Sequence, residues 1–223
     1  MNQSVRLPPI SGSQTLGEIA AALPGATAVF RRHGLDFCCG GDASLTDACA
    51  GAGLEVDDLA AELAKAAPAD AAPPTDPDSL IDHILERYHA VHRRELPELV
   101  ALAETVENVH AGHAAVPKGL AVLLDRTADE LAAHMDKEEG VLFPMMRRGG
   151  HPMISQPIAM MRHEHDSHGE TLRTLERMTN GFRIPEGACG TWRALYVGLD
   201  KLAGDLMTHI HLENNILFPR FAG

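Results

Sequence analysis

Between residues 79 and 223 the apolar side chains recur in alternating steps of three and four, the seam of a helix that buries one face against its neighbours. Four such segments, A to D, follow one another. Segment B carries Leu120, Leu124, Thr127, Leu131, His134, Glu138 and Val141 in that register, and segment D carries Leu195, Leu199, Leu202, Leu206, His209, Glu213 and Ile216. Segment C offers Ile158, Met161, His165, His168, Leu172 and Leu175, and segment A offers Leu85, His89, His92, Leu96 and Leu99. Prolines mark the openings, where a missing N–H costs little: Asp76-Pro77 for A, Pro117 for B, Pro157 for C and Pro185 ahead of D. Gly149-Gly150 and Asn180-Gly181 close B and C, and the Phe-Pro pairs at 143–144 and 218–219 terminate or kink B and D. Pro97 lies inside A and is expected to bend or divide it. The pattern predicts an all-α fold whose main body, residues 79–223, is an antiparallel four-helix bundle.

The front of the chain reads differently. Within a front domain of residues 1–65, residues 15–65 read as a few short helices, with a capping-box spacing at Thr15 and Glu18 and punctuation at Gly34, Gly40, Gly41, Gly51 and Gly53. This is a small helical domain that contains the adjacent pair Cys38-Cys39. Residues 66–78 are rich in Ala, Pro and Asp without apolar periodicity, the composition of a semi-stiff linker.

The polar residues in the bundle seams carry the chemistry. Segment B contains His134, Glu138 and Leu142-Phe143-Pro144, and segment D contains His209, Glu213 and Leu217-Phe218-Pro219, so both read H-x3-E-x3-L-F-P. Upstream, His89-x-x-His92 in A and His165-x-x-His168 in C complete an internal repeat, with offsets 134 − 89 = 45 and 209 − 165 = 44. A carboxylate in an apolar seam needs a partner, and these seams hold no Lys or Arg. Two divalent ions surrounded by four imidazoles and two bridging carboxylates satisfy every inward polar group. Mixed nitrogen and oxygen donors point to iron or manganese rather than structural zinc, with iron favoured. His92 and His168 face inward one turn from the ligands, as supports for them, pocket residues or a fifth ligand. His83, His113, His151, His163 and His211 fall outside the seams and are read as solvated. His110, 110 − 89 = 21 residues past His89, belongs near the far end of the bundle.

Composition narrows the class. Lys and Arg number 19 against 31 Asp and Glu, a net charge of −12, which argues against nucleic acid or an anionic membrane as partner. No apolar run approaches membrane-span length and no secretory leader is visible, so the chain is placed in the cytoplasm. Adjacent cysteines are a poor geometry for a mutual disulfide. Cys38 and Cys39 are reactive thiols, soft-metal ligands or two buried structural residues, while Cys49 and Cys189 read as ordinary buried cysteines.

The bundle resembles the hemerythrin-like domains. With the front domain the resemblance covers nearly the whole chain and extends to the RIC (repair of iron centres) family, the di-iron iron–sulfur cluster repair proteins. The residues that carry it are Asp36 to Gly41, Arg87-Tyr88-His89, Leu96 to Leu99, His134-Met135, Lys137 to Glu139, Glu164-His165-Asp166, Leu212 to Asn215 and Leu217 to Arg220. The resemblance implies two non-haem iron ions, oxo- and carboxylate-bridged, with His89, His134, His165 and His209 as terminal ligands and Glu138 and Glu213 as bridges. It also implies a part for Cys38 and Cys39 in passing iron or nitric oxide. The implied function is repair of iron–sulfur clusters damaged by nitrosative or oxidative stress, with damaged iron–sulfur proteins as partners and nitric oxide or oxygen as small ligand. Two other readings stay open at this point: a nitric oxide reductase forming nitrous oxide, and a hemerythrin-type binder of iron or a diatomic gas without catalysis.

Overall fold

Asp76 accepts a hydrogen bond from the Ser79 N–H at 3.0 Å and Pro77 fills the first helical turn, so segment A starts where its sequence calls for a start. In the computed structural model, residues 10–23, 25–66 and 73–221 are described. Residues 1–9, where a leader would begin, and linker residues 67–72 lie outside the described residues. The chain divides into two compact units, Met1–Ala72 and Pro73–Gly223, and the described residues are helical, with an isolated bridge between Thr15 and Ser44.

In the first unit, Thr15 and Glu18 close a capping box on α1 (Leu16–Ala22). Helices α2 (Ala26–Arg32), α3 (Leu45–Ala52) and α4 (Val56–Ala64) follow, and Ser44 caps α3 by accepting the Asp47 N–H. Their inward faces bury Leu16, Ile19, Phe30, Leu45 and Leu63, and Phe37 from the loop between α2 and α3 is buried with them, its ring 6.0 Å from that of Phe30. Glu62 of α4 receives Arg32 and, at 2.8 Å, His33, which ties α4 to the end of α2.

The second unit is the four-helix bundle. Segment A is α5 (Pro77–Ile84), a π turn (Leu85–His89) and α6 (Ala90–Val109). Segment B is α7 (Leu120–Lys137), a π turn (Glu138–Leu142) and α8 (Phe143–Arg147). Segment C is the unbroken α9 (Ser155–Met178), and D is α10 (Gly190–His211), a π turn (Leu212–Leu217) and a short 3-10 turn. Short loops make consecutive segments antiparallel neighbours, and α6 packs on α7 and α10 while α9 closes the ring against both. Pro97 does not divide α6. Helix α7 begins at Leu120 rather than at Pro117, because the Glu107 carboxylate accepts the N–H groups of Gly119 and Ala121 at its positive end.

The π turns correct the seams. A π turn takes in one residue more than an α turn, which rotates the downstream residues by about 100° relative to a regular helix. Leu142 is buried in place of Val141, which is 54% exposed; Leu217 replaces the half-buried Ile216, and Ile84 replaces Leu85. Segment C has no π turn, and all six of its seam residues are buried. The shifted residues join Ile81, Tyr88, Phe143, Ile158, Met161 and Phe218 in an apolar cluster at the end where the π turns lie. Leu96, Leu99, Leu131, Leu172, Leu202 and Leu206 fill the seams on the other side.

Candidate metal centre

The π turns contain or adjoin the inward polar residues. His89 ends the first, Glu138 opens the second, and Glu213 lies inside the third. All six predicted ligands are brought together, and each is at most 1% exposed. They form two overlapping quartets: His89, His209, Glu138 and Glu213, and His134, His165, Glu138 and Glu213, with donor atoms within 4.8 Å of one another in each. The Glu213 carboxylate spans both, Oε1 lying 3.1 Å from His209 Nε2 and Oε2 lying 3.1 Å from His165 Nε2. Glu138 Oε2 stands 3.4 Å from Nε2 of both His89 and His134, and neither of its oxygens has a hydrogen-bond partner among the described residues.

The imidazoles face one another across each quartet. His89 Nε2 is 3.1 Å from His209 Nε2, and His134 Nε2 is 3.1 Å from His165 Nε2. Their outer nitrogens decide what those distances mean. His134 Nδ1 donates to Glu164 Oε2 at 2.9 Å and His165 Nδ1 to Asn214 Oδ1 at 2.9 Å, so each ring, when neutral, turns an Nε2 lone pair toward the other. Two lone pairs at that separation repel unless a cation lies between them, a metal ion or, in the metal-free pocket, a proton. His89 Nδ1 donates likewise to Glu139 at 2.7 Å, whereas His209 Nδ1 has no partner among the described residues. This donor set, with its two shared carboxylates, fits a pair of cations, toward which the Nε2 atoms would be turned.

Electrostatics agree. Burial opposes the charged form of His134, but Glu138, then Glu213 and Glu164, push it up to about 9. Burial works against the Glu213 carboxylate too, yet the charge of His209 and the contacts with His165 and His209 hold it well below the usual range. The metal-free pocket thus draws positive charge from its own histidines.

His92 and His168 are buried but belong to neither quartet. Their rings lie 5.4 Å from His209 and 5.1 Å from His134, and burial, followed by the charge of those imidazoles, lowers them to about 2 and about 3. They are neutral neighbours of the ligands. His211 is corrected: it is buried, with Nδ1 3.0 Å from Asn215 Nδ2, because segment D is packed on most of its circumference. Cys189 is half-buried rather than buried, with Sγ 3.1 Å from His110 Nε2 at the start of α10. Cys38 and Cys39 lie in the first unit, where the contact with Cys39, then burial, push the Cys38 thiol well above its usual range.

The residues that aim the ligands were missed as such in the sequence. Glu139 follows one ligand and Glu164 precedes another, about 100° from the inward seam, so a search for seam positions passes over them. Aromatic rings hold three of the imidazoles. Phe143 stacks on His89, Phe218 on His165 and Tyr88 on His209, with centroids 5.7, 5.9 and 5.5 Å apart. Hence the phenylalanine in each H-x3-E-x3-L-F-P copy: it packs on the histidine of the preceding segment.

A four-helix core that converges four imidazoles on two shared carboxylates defines a cation-binding bundle of the hemerythrin type. Residues 80–221 match the hemerythrin HHE cation binding domain, and residues 12–67 match a domain of unknown function, DUF542. The chain is 48% identical over 214 residues to the iron-sulfur cluster repair protein YtfE of Pectobacterium atrosepticum, covering 93% of this chain and 96% of that protein. It is 47% identical over 219 residues, with the same coverage, to the protein of that name from Yersinia pseudotuberculosis. The chain therefore belongs to the hemerythrin HHE family, in the branch of the iron–sulfur cluster repair proteins.

Proposed function

We propose that this chain repairs iron–sulfur clusters damaged by nitrosative or oxidative stress, and that its bundle holds two non-haem iron ions in the overlapping quartets. The observation that carries the di-iron reading is the pair of facing Nε2 atoms in each quartet over carboxylates that both quartets share. The relatives supply the repair reading, since the name printed for them is that of iron–sulfur cluster repair proteins. His89 and His209 would hold one ion and His134 and His165 the other, with Glu138 and Glu213 shared between the two. When bound, the irons supply transferable metal and a place for nitric oxide or oxygen to bind.

The chain's own residues do the rest. Glu139, Glu164 and Asn214 fix the Nδ1 protons of three ligands, which keeps Nε2 aimed inward without reorganisation. The apolar cluster on one side and the leucine seams on the other keep bulk water from the carboxylates, and His92 and His168 stay neutral so that they add no repulsion to bound cations. We assign Cys38 and Cys39 to passing iron or nitrosyl iron onward to damaged iron–sulfur proteins. No helix among the described residues is long and apolar enough to cross a membrane, and a cytoplasmic setting suits thiols outside disulfides.

The test is reactivation of a nitric-oxide-damaged iron–sulfur dehydratase by the anaerobically loaded protein, run beside an assay for nitrous oxide with an electron donor. Reactivation with loss of iron from the bundle is expected. Turnover of nitric oxide without reactivation would replace repair by reduction.

A further inference from the structure

Asp36, Cys38 and Cys39 converge on one point of the small unit, with donor atoms within 4.8 Å of one another. Cys38 Sγ is 3.7 Å from Cys39 Sγ and 3.3 Å from Asp36 Oδ1. Neither distance fits a disulfide, whose sulfurs stand about 2.05 Å apart. Both fit a shared ion: a tetrahedral centre with metal–sulfur bonds of about 2.3 Å and a metal–oxygen bond of about 2.0 Å separates its sulfurs by about 3.8 Å and sulfur from oxygen by about 3.5 Å.

We propose that Asp36, Cys38 and Cys39 form a second, single-ion site for a thiophilic divalent cation, ferrous iron or zinc, with the fourth coordination position open. Binding releases the thiol protons to solvent, and the ion takes the place of the proton between Cys38 Sγ and Asp36 Oδ1. The open position is where a sulfur or oxygen ligand of a recipient would enter, so the ion can leave as it arrived.

The loop is built to hold this geometry. Asp36 Oδ1 also accepts the N–H of Cys39 at 3.0 Å and of Gly40 at 3.2 Å, which fixes the carboxylate against the turn. A Cβ at position 40 would lie 3.0 Å from the Asp36 carbonyl oxygen, so the close turn favours glycine there. Gly41 and Ala43 accept the N–H groups of Gly17 and Leu16, pinning the loop to the start of α1. Asp36 and Gly40, though neither cysteine, line an open cleft of about 540 Å³ with Leu16, His33, Ala43 and Ala48, and Cys39 is itself half-buried.

The proposal deepens the transfer role given above to Cys38 and Cys39, but its test reads binding alone. Cobalt(II) is titrated into the full-length, reduced protein under anaerobic conditions with the bundle already loaded with iron. A thiolate-to-cobalt charge-transfer band reports sulfur ligation, to which a histidine and glutamate site does not contribute. The expected result is a band saturating at one cobalt per chain, lost in Cys38→Ser and in Cys39→Ser, with helical circular dichroism unchanged. Asp36→Asn retains a carbonyl oxygen for the turn but not the charge, and is expected to bind cobalt at least about tenfold more weakly with iron content unaltered.

No band in the wild-type protein would overturn the site, as would a band that survives the double Cys38→Ser, Cys39→Ser change. Undiminished affinity in Asp36→Asn would remove the carboxylate and with it the three-ligand site. If cobalt binds as expected while the double serine variant repairs clusters normally, the site stands and the transfer role falls. Impaired repair by that variant with no cobalt band in the wild type leaves the cysteines a role in transfer without an ion site.

Discussion

The two quartets use the same residue types in the same repeat, yet they are held differently. On the second, His134 is backed by the Glu164 carboxylate and His165 by the Asn214 amide. On the first, His89 is backed by the Glu139 carboxylate, while His209 has no Nδ1 partner among the described residues and lies under the Tyr88 ring instead. Corresponding positions have diverged: Glu139 and Asn214 each follow a bridging glutamate, and Tyr88 and Glu164 each precede a ligand histidine. The repeat is the same in the histidines and glutamates of the quartets and differs in the residues that back them. Two positions of equal composition are thereby expected to release their ions at different rates, the position of His209 first.

The largest effect should come from what the halves share. Glu138→Leu and Glu213→Leu each remove a donor from both quartets, so both ions should be lost together, as read by metal content of anaerobically purified protein. Loss of one ion alone would show that the halves are independent and that the carboxylate serves only one. A second large effect belongs to the metal-free chain. Burial holds His92 near 2 and His168 near 3, whereas unfolded histidines titrate near about 6.5, so these two rings contribute their full stability above about pH 6.5 and lose it as the pH falls. His134, raised to about 9, contributes fully below about 6.5 and loses its share as the pH climbs toward 9. Chelator-treated protein should therefore resist urea best near pH 6.5, and His168→Phe should flatten the acid limb alone.

The convergence of these residues was legible because burying a charged or polar side chain is costly enough to mark the sequence: His134, Glu138, His209 and Glu213 occupy apolar slots. Segment C was legible to its full length because it stays α-helical. The seams of A, B and D slip by one residue across each π turn, and nothing in Leu85, Val141 or Ile216 announces that turn. The turn also disturbs the regular backbone pairing, and the Asn214 carbonyl inside it receives Arg162 at 2.7 Å, a contact across 52 positions that no local pattern reveals. Glu139 and Glu164 were hidden for a related reason, standing beside the seam among exposed charges of the same type.

Between the halves, the carboxylates behind the ligands should matter next. Glu164→Ala removes the partner of His134 and Glu139→Gln weakens that of His89, and each is expected to lower affinity at its own position by about 10- to 100-fold. A competing chelator followed by Mössbauer spectroscopy of iron-57 protein separates the two positions. Equal losses at both would mean that Glu138 and Glu213 couple the ions too tightly for the halves to be distinguished.

Asn214 should give the smallest change and the sharpest comparison. Its amide makes a neutral hydrogen bond to His165, worth about 1 kcal/mol, so Asn214→Ala should weaken the second position only about fivefold. Asn214→Asp supplies a charged acceptor at the same place, as Glu139 does for His89, and a charge-assisted bond is roughly twice as strong as a neutral one. That variant should tighten the second position and slow release of its ion, widening the difference between the halves. If it weakens binding instead, the amide is there to limit the negative charge around two carboxylates that are already buried, and the asymmetry of the site is set by charge rather than by hydrogen bonding.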